Sequence, residues 1–313
     1  MISTVRSSDS IDTERIRLVM EKVRQIEIRT RRLVDETMAG HYHSVFRGRG
    51  IDFDSVREYV PGDEVRTIDW NVTARAGRPF VKQFHEEREL VVWILVDVSA
   101  SGDFGSGATT KRALEAELAC LLALSAVRNN DKVGLIMFSD RLEAQVAPAK
   151  GRTHVMRLVR EILTCNPKGT GTDIAASLDV VGRRALRRSL IFLISDFELP
   201  DDGGKTLALL ERVARPVGAR HDVVAFEVRD PSERALPNLG LVSVEDAETG
   251  EVVTLDTGRR HVRETFAALA TKRDTETRRA LRRVRVETLP FDTTRPYLPE
   301  LLSFFASRER RLA

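Results

Sequence analysis

Apolar residues along this chain follow two rhythms. From residue 90 onward, short unbroken apolar runs alternate with longer stretches in which apolar residues recur every three or four positions. The run Leu90 to Val96, LVVWILV, is rich in Val and Ile and reads as a strand buried on both faces. Comparable runs at 132–139, 188–196 and 221–229 predict further strands, and 284–289 is another candidate. Helical spacing predicts helices over 109–129, 152–164, 172–186, 204–217, 259–282 and 296–307. A shorter strand at 142–147 follows the turn Ser139-Asp140-Arg141 and is expected as an antiparallel edge. Strand and helix alternating at this spacing predict an α/β fold, a doubly wound sheet with helices on both faces.

The pattern differs before residue 90. Residues 12–38 carry Ile16, Val19, Met20, Val23, Ile26, Leu33 and Val34 at helical spacing, with Asp12 as a cap and Gly40 as a stop, so an amphipathic helix is expected. Between 45 and 90, Pro61-Gly62-Asp63 and Ala76-Gly77-Arg78-Pro79 punctuate short strand-like runs. Asp52, Arg57, Asp63, Arg66, Asp69 and Arg75 are expected to form ion pairs that fix this irregular segment, with a direct chemical role as the alternative. Leu241–Val244 and Glu251–Leu255 flank Asp246-Ala247-Glu248-Thr249-Gly250 and predict a β-hairpin. The division expected is a tail and helix over 1–40, a segment over 41–89 sharing a small β subdomain with 240–256, and a main domain over 90–313.

Composition narrows the function classes. The chain has 313 residues, and its 50 Lys plus Arg nearly balance 47 Asp plus Glu. A net charge of +3 argues against nucleic acid as the main partner. Arg278-Arg279 and Arg282-Arg283 fall among acidic residues on a predicted helix and read as a solvated face. Cys120 and Cys165 lack metal or redox spacing. No opening segment has the apolar core of a signal peptide, and no run reaches bilayer-spanning length, so a cytoplasmic location without membrane insertion is expected.

Candidate chemistry lies where the first strand ends. Asp97, Ser99 and Ser101 follow it directly, offering a carboxylate and two hydroxyls in one tight loop. Asp and Ser are also common turn and capping residues, so these three alone decide little. Thr172, in the Gly-rich stretch KGTGTD before a predicted helix, and Asp196, at the end of SLIFLISD, extend the set. All five offer hard oxygen ligands of the kind that suit Mg²⁺ or Mn²⁺. Their order and contexts resemble the metal-ion-dependent adhesion site of the von Willebrand factor A domain.

A second resemblance is more specific. Within GRGIDFDSVREYVPGDEVRTIDWNVTARAGRPFVK, the elements Gly48-Arg49-Gly50, Phe53, Arg57-Glu58-Tyr59, Gly62-Asp63, Arg66, Ile68-Asp69-Trp70, Ala74-Arg75 and Lys82 are similar to the signature of a bacterial family, domain of unknown function fifty-eight. With the Asp97-x-Ser-x-Ser turn, the likeness covers about 40–230. It implies a von Willebrand factor A-like domain that works with a MoxR-type AAA+ ATPase as an adaptor or chaperone-like partner in assembly, maturation or stress response, with other client proteins besides. It also carries metal-site roles onto Asp97, Ser99, Ser101, Thr172 and Asp196.

The expectation is therefore a non-enzymatic, metal-dependent protein-binding adaptor whose Mg²⁺ takes a partner's carboxylate. One alternative is a Mg²⁺-dependent phosphohydrolase or nuclease. Such chemistry wants a base beside the metal, and His85, His154 and His221 have no spacing that selects them. KGTGTD also lacks the Gly-Lys-Ser/Thr of a phosphate loop, so ATP hydrolysis by the chain itself is not expected. The other alternative is a scaffold without metal. Asp97 and Asp196 would then repel at close range unless protonated or paired with an Arg.

Overall fold

The computed structural model describes residues 51–86, 90–200 and 202–312. The helix expected over 12–38 and the Gly48-Arg49-Gly50 element lie outside them. The chain divides into two compact units, 46–90 and the remainder.

In the smaller unit, β1 (Ile51–Glu58) pairs antiparallel with β2 (Phe80–Glu86). Between them come a 3₁₀ turn at Val65–Thr67 and the short helix α1 (Trp70–Ala76). Three of the six charged residues singled out in this segment act as structural fasteners. Arg57 grips Asp63 through two parallel hydrogen bonds of 2.7 and 2.6 Å, geometry that suits a guanidinium and a carboxylate. Asp69 caps α1, accepting from the backbone N–H groups of Asn71 and Val72, and Gly77 ends it in the left-handed region.

The larger unit is built on a six-stranded sheet. Its strands are β3 (Val91–Asp97), β4 (Lys132–Phe138), β5 (Leu142–Ala149), β6 (Leu190–Ser195), β7 (Asp222–Arg229) and β10 (Val286–Asp292). They lie in the order β10-β7-β6-β3-β4-β5, parallel throughout except for the antiparallel edge β5. The expected strands, including that edge, are all present.

Side-chain alternation explains how the sheet is covered. Trp93 and Leu95, Ile136 and Phe138, Ile191 and Leu193, and Val223 and Ala225 share one face. They pack against α4 (Ile174–Arg184), α5 (Lys205–Arg220) and the end of α6 (Arg260–Arg283) through Leu178, Val181, Leu210, Val217 and Leu281. The intervening positions Val92, Ile94 and Val96 are equally buried, so β3 is apolar on both faces. The helix α2 (Lys111–Arg128) lies against β3, β4, β6 and β7 and also contacts α3 (Arg152–Thr164). Phe192, Phe226 and Phe291 stack in a row with ring centroids 5.3 and 4.9 Å apart. The last helix, α7 (Leu298–Leu312), packs on β10.

The predicted hairpin is present as β8 (Leu241–Glu245) and β9 (Val252–Asp256). Among the described residues it pairs only with itself and belongs to the larger unit, while β1–β2 is a separate two-stranded sheet. The two pairs are thus two sheets rather than the one β subdomain expected. The helical Arg cluster is only partly a solvated face, because Arg278 donates to the buried carboxylate of Glu227 at 3.0 Å. No helix among the described residues is long and apolar enough to cross a membrane.

Candidate metal site at the strand ends

The sheet reverses its direction of winding between β3 and β6. From β3 the chain proceeds to β4 and β5 on one side, then returns to lay β6 on the other. Connections diverge at such a point and leave a crevice at the C-terminal strand ends, where open α/β sheets place ligands. Asp97 is the last residue of β3, and Asp196 directly follows β6.

The first loop is locally determined. Asp97 Oδ1 accepts from the backbone N–H of Ser99 at 2.9 Å, a turn that returns the chain over the carboxylate. The hydroxyls of Ser99 and Ser101 then stand 3.1 Å apart. Arg112 braces this loop from α2, donating to the carbonyls of Val98 and Ser99 at 3.0 and 2.6 Å.

The second loop carries Thr172. Glu143 of β5 gathers it, accepting from the backbone N–H groups of Lys168 and Gly169 and from the Ser139 hydroxyl. A Cβ at Gly169 would collide with the side chains of Ser139 and Asp140 as they stand, so any larger residue would have to displace them. The loops meet where Ala100 N–H donates to the Thr170 carbonyl at 2.9 Å.

The third element is the end of β6. Ser195 donates its hydroxyl to Asp97 Oδ2 at 2.7 Å and accepts from Phe197 N–H, tying the two strand ends together. Phe197 has φ 56°, in the left-handed region that residues with a Cβ rarely adopt. The backbone thus reverses immediately after Asp196, a strained conformation of the kind that accumulates at functional sites.

The electrostatics are dominated by crowded acids. Burial, and then the charge of Asp196, push the Asp97 carboxyl up to about 7. Glu115, from the buried face of α2, is raised well above the usual range by burial and then by Asp97 and Asp196. Among the described residues its Oε2 has no hydrogen-bond partner, and it lies on the side of Gly102, the residue after Ser101. Lys111 is completely buried and bridges Asp196 at 2.6 Å and Glu233 at 2.5 Å. Burial opposes its charge, but the two carboxylates outweigh that and raise its pKa.

All five sequence-predicted residues therefore gather at one end of the sheet. The residues missed in the sequence are Lys111, Glu115, Ser195, Glu233 and Glu248. For two of them a signal exists, since Lys111, Glu115, Leu118, Leu122 and Ser125 form a single stripe of α2, and all are buried. Charged residues at the head of an otherwise apolar stripe have to meet partners inside the protein. Glu233 and Glu248 arrive from distant loops, and nothing local marks them.

The donor set fits a hard divalent cation: several carboxylates converge with three hydroxyls, the buried Glu115 Oε2 and Glu233 Oε2 have no hydrogen-bond partner among the described residues, and Lys111 neutralises only part of the charge. Among the described residues, no group of three or more His, Cys, Asp or Glu has metal-holding geometry by itself. Oxygen ligation here would depend on the hydroxyls.

A family model described as a protein of unknown function, DUF58, matches residues 55–276, more than half of the chain. An uncharacterized protein of Mycobacterium tuberculosis is 32% identical over 292 residues, covering 92% of this chain and 89% of that protein. An uncharacterized protein of Mycobacterium avium is 32% identical over 170 residues, covering 53% of this chain and 95% of its own length. Among solved structures, the conserved hypothetical protein BatB from Bacteroides thetaiotaomicron shares 16% identity with a TM-score of 0.45, over 71% of this chain and 99% of that one. The SpRpn10 VWA domain shares 13% identity with a TM-score of 0.40, over 69% and 95%. The chain belongs to the DUF58 family, whose function is unknown, and its larger unit is a doubly wound α/β sheet.

Proposed function

We propose that this protein is a non-enzymatic, metal-dependent protein-binding adaptor. The observation that carries the proposal is the convergence of Asp97, Ser99, Ser101, Thr172 and Asp196 at the sheet's switch point, where buried negative charge exceeds what Lys111 offsets. The Ser99 and Ser101 hydroxyls would hold Mg²⁺ or Mn²⁺ directly, with Thr172 and the two aspartates direct or through water. Such an ion supplies a geometry-demanding acceptor for a carboxylate oxygen. The chain itself positions the donors: Ser195 clamps Asp97, Arg112 holds the Ser99 turn, and Glu143 fixes the approach of the Thr172 loop.

The partner class follows from the family resemblance of residues 48–82, which suggests a MoxR-type AAA+ ATPase, with work in protein assembly, maturation or stress response in the cytoplasm. Two histidines weighed as bases for a hydrolase are engaged elsewhere. The His154 Nε2 lies 2.8 Å from the Val133 carbonyl, and the buried His221 accepts from Ser189 N–H at 3.2 Å. Both are therefore structural in this reading.

Affinity co-purification from the native host, with Mg²⁺ or with EDTA, tests the proposal. Wild type with Mg²⁺ should retain an AAA+ ATPase, and Asp97→Ala or EDTA should release it. Recovery of the same ATPase in every lane would remove the metal from the contact. Recovery in none would remove the partner.

A further inference from the structure

The hairpin β8–β9 brings a carboxylate of the chain's own to the site. A two-stranded hairpin is marginal by itself in water, and this one keeps much of its apolar surface exposed, with Leu241 at 76% and Val252 at 60%. Hydrogen bonds nevertheless close its base and its tip. At its base, Thr257 donates both its N–H and its hydroxyl to the Gly240 carbonyl, each at 2.7 Å. At its tip, Asp246 Oδ1 accepts from the N–H groups of Glu248 and Thr249, both at 2.9 Å, a side-chain-closed turn.

Of the five turn residues Asp246–Gly250, only Glu248 is not exposed. Its Oε1 accepts from the Thr172 hydroxyl at 2.8 Å, and its main-chain carbonyl accepts from the Thr170 hydroxyl at 3.3 Å. Its Oε2 faces the intervening Gly171, where an added Cβ would stand 3.6 Å away. Burial and the charge of Asp196 raise its pKa in spite of the Thr172 hydrogen bond. A carboxylate is thus held against the one hydroxyl of the set that comes from the Gly-rich loop, within the field of a second carboxylate. Independently, the unpartnered oxygen of buried Glu115 lies beside the Ser101 loop, so the acids around the site are short of positive charge.

We propose that Glu248 is an intramolecular ligand of the candidate metal site, supplying the carboxylate that a partner would otherwise bring. This rests on the metal-dependent reading above. A tethered carboxylate acts at an effective concentration of about millimolar or higher, so free carboxylates compete poorly. A partner must displace Glu248, and its apparent affinity falls by the fraction of molecules in which the hairpin holds the site. The closed hairpin then makes the site self-restrained, and moving the hairpin opens it.

Mn²⁺ titration of the whole chain, read by electron paramagnetic resonance for affinity and by water-proton relaxation for open coordination positions, tests this. Glu248→Gln keeps the size of the side chain and an oxygen for Thr172 to bond. It is expected to bind Mn²⁺ about tenfold more weakly and to raise the relaxation per bound ion by roughly one exchanging water. Glu248→Asp, too short to reach, should raise relaxation likewise, and the exposed Glu245→Gln should match wild type. Circular dichroism confirms that each variant is folded.

Mn²⁺ bound by wild type, lost in Asp97→Ala, and bound identically by Glu248→Gln would overturn this inference and leave the metal site standing. Failure of folded wild type to bind Mn²⁺ would overturn both.

Discussion

Three parallel strands of this sheet end in buried aspartates, and the contrast among them separates structure from function. Asp230, after β7, has four donors: Ser106 N–H, Ser106 Oγ, Ser232 N–H and Thr293 Oγ1, at 2.9, 2.7, 2.9 and 2.6 Å. Burial would raise its carboxyl, but those hydrogen bonds hold it down to about 2. Asp97, one strand past β6, accepts from Ser99 N–H and Ser195 Oγ, and burial and then the charge of Asp196 push it up to about 7. A saturated carboxylate is a fastener. An under-coordinated one, crowded by other acids, is what the proposed metal site would require.

The largest effect should come from Lys111, which provides internal charge for the candidate site. Lys111→Met leaves Asp196 and Glu233 facing each other without their shared ammonium, a broken buried ion pair costing about 3–5 kcal/mol. Urea denaturation should show that loss without metal and partial recovery in Mg²⁺. Recovery absent at saturating Mg²⁺ would weaken the view that both cations answer the same negative charge.

Next is Asp230→Ala. It strands the four donors and should cost about 3 kcal/mol in urea denaturation, yet leave Mn²⁺ affinity as in wild type. A change in Mn²⁺ affinity would mean that the two ends of the comparison are coupled.

The smallest effect is on pH dependence. Asp97 is raised in the folded state, so between its ordinary value and about 7 the folded protein binds more protons than the unfolded chain. Its contribution therefore favours folding at low pH and is lost as pH rises through that window. Metal-free stability attributable to this group should fall by about 1 kcal/mol or more from pH 5 to 7.5, and Asp97→Asn should flatten that slope. An equal slope in both proteins would place the crowding elsewhere.

The same contrast shows why some residues were visible in the sequence and others were not. Asp97, Ser99 and Ser101 are contiguous with the strand that presents them, and Thr172 and Asp196 repeat that grammar at a loop-to-helix junction and a second strand end. Asp230 also follows an apolar run, so its position by itself looks no different from that of Asp196. What distinguishes it is Ser106 and Thr293, which lie 124 and 63 residues away in sequence.

The sequence by itself determined the periodicities, and with them the strands, the helices, the antiparallel edge and the hairpin. Short-range sterics and burial write those patterns locally, and a strand buried on both faces has little other way to be written. Tertiary structure alone decided which acids share one dielectric environment. It placed Lys111 between Asp196 and Glu233, left Glu115 Oε2 without a hydrogen-bond partner among the described residues, and brought Glu248 to Thr172 across 76 residues. Charge acts through space rather than along the chain, so the balance of that site exists only once the sheet has closed its distances.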